Sequence, residues 1–268
     1  MRKFLAFAAL ALVLIVVLYP VYQVLILALM PTDEIAAYVT QVENPANRFA
    51  PGYFLPRYFS HEQFRESLDA RFLRALYVSL LFTVTVALLQ FVFAFILGFV
   101  FAKIRFAGRE ILFFLFVAAM VLPFHVTLVP LHQILHHLEM FDTPWAVILP
   151  AIFSPLGVFL FRQFISQVPD DVLEAATIDG AGLLCILRSF VLPLIKNGAV
   201  TFFIITIVMQ WSAIEGALAF IRTDEWRPMA LLLREYMATD PATMFAPAVL
   251  YMLPILTVYA VLAKKSKI

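Results

Sequence analysis

Polar and apolar positions along this chain fall into long blocks instead of alternating. Stretches 4–30, 75–102, 111–131, 143–161, 197–214 and 242–263 carry no Asp, Glu, Lys or Arg. A hydrocarbon core takes about 20 apolar residues as helix, with a range of about 17–25, and a helix in lipid satisfies its own backbone. The pattern predicts an all-α integral membrane protein with six transmembrane helices, at about 4–30, 75–102, 111–131, 143–161, 192–214 and 242–263. Together they make a single transmembrane domain over 1–268. The fifth is extended back across Lys196, which can lay its stem along the helix and carry its ammonium to the headgroups. Met1-Arg2-Lys3 followed by apolar residues imitates a signal peptide, but a signal core is roughly 7–15 residues. The first block is far longer, so an uncleaved first helix is expected.

Composition agrees. Hydrophobic residues make up 63% and charged residues 14%, against roughly 45–50% and about 25% in soluble domains, and the mean hydropathy is +0.95. A disordered chain, a basic nucleic-acid binder and a disulfide scaffold are excluded; the lone Cys185 makes no internal disulfide. Glycine is scarce at 8 while Phe reaches 28, so glycine-rich seams are not expected to be the main packing device. Charge sets the orientation. Segments 1–3, 103–110, 162–196 and 264–268 share one side and hold eleven basic against five acidic residues. Basic residues accumulate on the cytoplasmic side, so both termini are expected there, with loops 31–74, 132–142 and 215–241 outside. Prolines 20, 123, 130, 150, 155, 193, 247 and 254 lie in or beside the spans. Each removes a donor and bends a helix, which suits a moving pathway better than a static anchor.

The most informative loop is 168–190. Asp170 is expected to cap a short helix, with Asp171 and Glu174 at its positive end. Ala175 and Ala176 are strong helix formers with almost no side chain, and Gly180 suits a left-handed helix stop. A second helix from Leu183 meets Pro193 near the bilayer. The small residues would let another protein approach the backbone, with Leu173, Ile178 and Leu184 as apolar anchors; a plain surface helix packing on its own bundle fits the spacing equally.

Glu174-Ala-Ala-Thr-Ile-Asp-Gly-Ala181, followed by Leu192-Pro193, closely resembles the EAA loop of the transmembrane subunits of bacterial ABC importers. Phe159-Leu-Phe-Arg-Gln-Phe-Ile165, Phe101-Ala-Lys-Ile-Arg-Phe-Ala-Gly-Arg109, Val121-Leu-Pro-Phe-His-Val-Thr-Leu-Val-Pro130, Phe141-Asp-Thr143 and Trp211 are similar to the carbohydrate-uptake branch, and in particular to the smaller permease subunit of maltose-type importers. The resemblance runs from about 72 to 263. It implies that Glu174, Ala175, Ala176, Asp179, Gly180 and Ala181 form a coupling helix seated in a cytoplasmic ATPase subunit. It also implies a second permease subunit, two ATPase subunits, an extracytoplasmic solute-binding protein, a bacterial inner-membrane location and a sugar or oligosaccharide cargo. A polyol or glycerol phosphate stays open as cargo. The second proline common after Leu192-Pro193 is missing here. Trp211-Ser-Ala-Ile-Glu-Gly216 also departs from the family's Trp-Asn, so substrate specificity is not inherited from the motif.

Elsewhere, His125, Gln210, Trp211 and Glu215 are substrate-pathway candidates. An ionisable group inside a span faces protein or water, so His125 either lines the pathway or bonds a backbone carbonyl. Gln90 and Gln210 bond a sugar hydroxyl or a neighbouring helix. Trp211 is a sugar platform or an interface anchor. Tyr38, Tyr53, Phe54, Tyr58 and Phe59 make loop 31–74 a candidate docking surface. His132 and His136 have zinc-helix spacing, but Gln133 replaces the general base. A membrane-embedded metal hydrolase built on His132, His136 and His125 is the rival reading, and structural histidines are the simpler one. No GxxxxGK[ST] and no GxSxG run occurs, so a non-catalytic translocase subunit without a cofactor or metal is expected, its ATP hydrolysed by another chain. In a Cys185→Ser background, a membrane-impermeant maleimide should label Ala175→Cys in inside-out vesicles and not in intact cells; labelling from outside would overturn the orientation.

Overall fold

The computed structural model describes residues 2–44 and 54–266, and all regular structure among them is helical. Tyr53, and the basic Lys267 of the orientation argument, lie outside the described residues. Among the described residues four helices are long and apolar enough to cross a bilayer: Ala6–Ala28, Ala70–Lys103, Pro144–Ser166 and Pro241–Val261. Two further stretches qualify only as bent pairs, which would bring the total to six.

The chain divides into two compact units. The first comprises Met1–Leu76 and Met229–Leu256. Its helix α1 (Arg2–Ala28) leaves most of its surface uncovered; towards the C-terminal end, Val24 and Ile26 to Ala28 pack against a cluster that includes Met30, Ile35, Phe245 and Ala246, and the Tyr22 hydroxyl donates to Phe54 O. The last carbonyls of a helix lack intrahelical donors. Here the buried amide of Gln63, in the short α3 (Glu62–Ser67), donates to Leu27 O at 3.0 Å and Met30 O at 2.8 Å. Helix α2 (Thr32–Glu43) covers the same cluster through Ile35, with Tyr38 half-buried at its edge. Phe54, Tyr58 and Phe59 remain exposed.

Helix α4 (Ala70–Lys103) begins five residues earlier than the uncharged stretch suggests. Asp69 fixes the start, accepting from the Phe72 amide at 2.7 Å as an N-cap. Arg71 in the first turn is held by Glu235 at 2.7 Å. Charges mark the water boundary; they do not stop a helix.

The second unit, Tyr77–Pro228 with Thr257–Ile268, holds the largest core. Here three glycines act as sockets. A Cβ on Gly98 of α4 would lie 2.5 Å from the Phe161 Cβ of α8 (Pro155–Ser166). One on Gly157 would meet Ala94 at 2.8 Å and Phe202 at 2.9 Å, and one on Gly198 would meet the Phe164 ring at 2.7 Å. Scarce glycine is therefore placed where phenylalanines cross, a role that composition alone did not reveal.

The stretches read as single spans at 111–131 and 192–214 are each broken. Helix α5 (Arg109–Ala119) and helix α6 (Phe124–His137) meet at 102°. Pro123 lacks the donor that would continue α5 and disfavours helical geometry in Leu122; its own backbone is extended, at φ −63° and ψ 141°. Helix α7 (Pro144–Ala151) is separated from α8 by Ile152 to Ser154. Pro155 cannot donate to Ala151 O, and the Gln90 side-chain amide of α4 donates to it instead. Gln90 thus bonds a neighbouring helix. Ser154 accepts from the Gly157 amide at 3.1 Å and caps α8. Helices Leu183–Leu194 (α10) and Lys196–Trp211 (α11) meet at 85°. A π-turn over Ile186–Val191 runs into Pro193, where the regular hydrogen-bond ladder loses a donor.

Gly98→Ala should lower the thermal unfolding temperature in detergent. Helix propensity favours Ala by about 1 kcal/mol, but a Cβ 2.5 Å from another main-chain-anchored Cβ must force α4 and α8 apart, and overpacking costs about 1–3 kcal/mol. An unchanged or raised midpoint would refute the socket.

Candidate coupling site

Helix α9 (Asp170–Ile178) occupies the centre of the 168–190 loop. Pro169 takes its N-cap position, with no side-chain cap bond. Asp170 is the first helical residue and not the cap expected from sequence, because its carboxylate is engaged by Lys103 Nζ at 2.5 Å. The same ammonium donates to Val168 O at 2.5 Å. The Lys103 hydrogen bond and charge hold the Asp170 carboxyl below its ordinary value, against slight desolvation.

The far end closes as a Schellman motif. The Ala181 amide donates to Ala176 O at 2.9 Å and the Gly180 amide to Thr177 O at 3.0 Å. Gly180 has φ +80°, and a Cβ there would meet nothing within 4 Å. Backbone geometry, and not crowding within the chain, therefore selects glycine, and open space surrounds it.

The six residues assigned to coupling share this helix and its cap but not one environment. Ala176 is 3% exposed and packs inward on the core, with Leu173 beside it. Glu174, Ala175, Asp179 and Gly180 are exposed, and Ala181 is half-buried. Ile178 is 85% exposed and Leu184 78%, so two large apolar side chains stand out at the tip. Behind α9 lies a cavity of about 560 Å³ bordered by Lys103, Arg105, Arg109, Asp170 and Glu174. Next to it, Arg162 of α8 grips both carboxylate oxygens of Glu110 at 2.9 and 2.8 Å and lies 3.8 Å over the Phe113 ring.

The substrate-pathway candidates divide. Gln210 and Glu215 line one cavity of about 420 Å³ with Phe124, Pro150, Met209 and Phe220. Trp211 is buried at 6% exposure and does not line it. His125 is exposed and stacks edge-on against Phe124. His132 and His136 both pack on the Phe141 ring, with centroids at 4.6 and 6.3 Å. Among the described residues no group of three or more His, Cys, Asp or Glu side chains could hold a metal ion, a set that the hydrolase reading needs.

On the sequence Asp142 figures only inside the Phe141-Asp-Thr143 run, with no role of its own. Its backbone is left-handed at φ 58°. Oδ1 accepts from the Arg222 amide at 2.9 Å, the Thr223 amide at 3.0 Å and the Thr223 hydroxyl at 3.0 Å, while its own amide donates to Phe220 O at 3.1 Å. Its sequence signals are that run and an Asp in a turn between two apolar blocks.

The family model for a binding-protein-dependent transport system inner membrane component matches residues 90–265. The chain belongs to that family. The permease is similar to the sn-glycerol-3-phosphate transport system permease protein UgpE of Yersinia enterocolitica, at 39% identity over 108 residues, 40% of this chain and 38% of that protein. It is also similar to Protein LplC of Bacillus subtilis, at 28% identity over 246 residues, 85% of this chain and 82% of that one. In fold it matches a bacterial ABC transporter involved in the import of the acidic polysaccharide alginate, with a TM-score of 0.83 and 20% identity, over 98% of this chain and 95% of that one. The chain is therefore an inner membrane component of a binding-protein-dependent transport system, and its matched region takes in both the α9 loop and the cavity lined by Gln210 and Glu215.

Burial pushes the Asp142 carboxyl up, but the two amides, the Thr223 hydroxyl and the Arg222 charge outweigh it and hold it below its ordinary value. A depressed folded-state value contributes stability above the unfolded value and loses it as pH falls through the folded one. Protection of the Arg222 and Thr223 amides from hydrogen exchange should therefore be constant from neutral pH down to the usual aspartate range and collapse below it. Asp142→Asn should lose much of that protection at every pH, whereas full protection in Asp142→Asn would refute the clasp.

Proposed function

We propose that this permease is one of two transmembrane subunits of an importer that moves a sugar or oligosaccharide inward by alternating access. Helix α9 is its coupling element. The observation that carries the reading is a short helix closed by a left-handed, uncrowded Gly180 and flanked by exposed Ile178 and Leu184, within a chain of this transport family. A nearly side-chain-free end lets a partner approach the main chain, and the two apolar side chains supply anchors.

In this reading each bent pair is one span, so six spans cross the bilayer as one domain with both termini in the cytoplasm. Two ATPase subunits bind ATP and close on the cytoplasmic side, and one receives Glu174, Ala175, Asp179, Gly180 and Ala181, while Ala176 packs the helix onto its own bundle. Closure pushes α9, and the helices rock between inward- and outward-facing states. An extracytoplasmic solute-binding protein delivers cargo to the outer side, where Phe54, Tyr58 and Phe59 offer a contact surface. The chain itself performs no covalent chemistry. Gln210 and Glu215 are the pathway groups best placed to hydrogen-bond a hydroxylated cargo; Trp211 would act from behind them as packing, and His125 from a separate position.

The second reading, import of a polyol or a glycerol phosphate, is favoured by the name of the Yersinia relative. Competition between radiolabelled sn-glycerol-3-phosphate and a maltooligosaccharide for uptake by the reconstituted complex separates the two.

Gly180→Trp should abolish ATP-driven uptake, because a side chain at φ +80° is strained and fills the space that a partner needs. Gly180→Ala should retain more activity than Gly180→Trp. Wild-type uptake together with wild-type cargo-stimulated ATPase activity in Gly180→Trp would overturn the docking role.

A further inference from the structure

We propose that Lys103 is a positioning residue that ties the last turn of α4 to the first turn of α9, so that the two elements move as one body. The proposal rests on α9 being the coupling element, and it adds where the push goes. Three observations meet at this side chain. Val168 is buried, and its carbonyl lies ahead of Pro169 and Asp170, outside the ladder of α9, so it needs an external donor. Lys103 supplies one at 2.5 Å. A second proton of the same ammonium reaches Asp170 Oδ1, also at 2.5 Å, and such charge-assisted bonds are the strong ones. The Lys103 side chain is only 11% exposed, so this contact is shielded on the lysine side.

The lysine is also the last residue of α4. That helix is wedged against α8 by Gly98 and Phe161, and α8 leads into the loop that carries α9. A push on α9 therefore reaches the bundle by two routes: along the chain through α8, and across space through Lys103 into α4. Without the second route, α9 would hang from α8 alone and pivot about Gln167 to Pro169. Surface lysines rarely hold a fixed geometry; this one reaches two acceptors on one short segment, one of them main chain.

The test uses the full complex of this chain with its partner permease and ATPase subunits, with Cys185→Ser to remove the native thiol. Nitroxides are attached at Ile104→Cys and Asp171→Cys, two exposed positions flanking the contact. Dipolar spectroscopy then reads their separation in the nucleotide-free and ATP–vanadate-trapped states. With Lys103 present, the separation should be the same in both states and narrowly distributed. Lys103→Met should widen the distribution at least about twofold or shift it between states, and Lys103→Arg should restore the narrow form. An equally narrow, state-independent separation in Lys103→Met would overturn the proposal. Should Lys103→Met fail to assemble, Asp170→Asn decides in its place: it keeps the Val168 contact and removes the ionic one, and a distribution as narrow as wild type would again overturn it. Failure of the coupling reading itself is seen separately, as undiminished uptake in Gly180→Trp.

Discussion

A hydrocarbon solvent offers no hydrogen bonds, so each main-chain group freed inside such a protein must find its partner within the chain. Prolines make this acute here. Pro155 withdraws the donor owed to Ala151, and Gln90 from another helix provides it. The end of α1 leaves carbonyls that Gln63 answers. The turn before α9 leaves Val168 O, and Lys103 answers it. In each case a helix end is fixed by a side chain that arrives from elsewhere in the sequence. The ends are sharp corners for that reason, and the start of α9 is one of them.

Long apolar blocks made α1, α4 and the final helix legible, because bilayer thickness leaves little choice of length. Gly180 was legible for a different reason: a left-handed stop is a local backbone demand, written in one residue. The corner at Pro123 was only half legible. A proline announces that a ladder fails, but whether the chain then bends slightly or turns through 102° depends on what packs around it. Lys103 was read as one more cytoplasmic charge, since its two acceptors lie 65 and 67 positions away. Trp211 reads on the sequence as either a sugar platform or an interface anchor and is buried at 6% exposure, because nothing in its spacing says which side of α11 faces protein. Ala176 turned inward for the same reason, while its neighbour Ala175 stayed outside.

One end of the second unit carries charges that are paired internally. Lys103 with Asp170 and Arg162 with Glu110 leave the apolar Ile178 and Leu184 as the conspicuous features of the tip. The carboxylates of these pairs face water while Lys103 and Arg162 are largely covered; ion pairs open to solvent on one side contribute little to stability, so their value here is geometric. They hold the base of the protrusion while its end stays bare. Asp142 does comparable work for another turn, gathering three donors onto one oxygen.

The glycine sockets carry a consequence for motion. A phenylalanine ring seated over a missing side chain can neither slide nor roll by a fraction of a residue, because the next position along the helix presents a Cβ. Gly157 with Phe202 and Gly198 with Phe164 are seated this way, and the Cβ and main chain of Phe161 abut Gly98, so the contacts behave like gear teeth across three helices. Displacement between them would come in notches, the smallest being about one helical turn of 5.4 Å. Smaller adjustments must be absorbed at the proline corners, so this bundle stays stiff at its crossings and yields only at its joints.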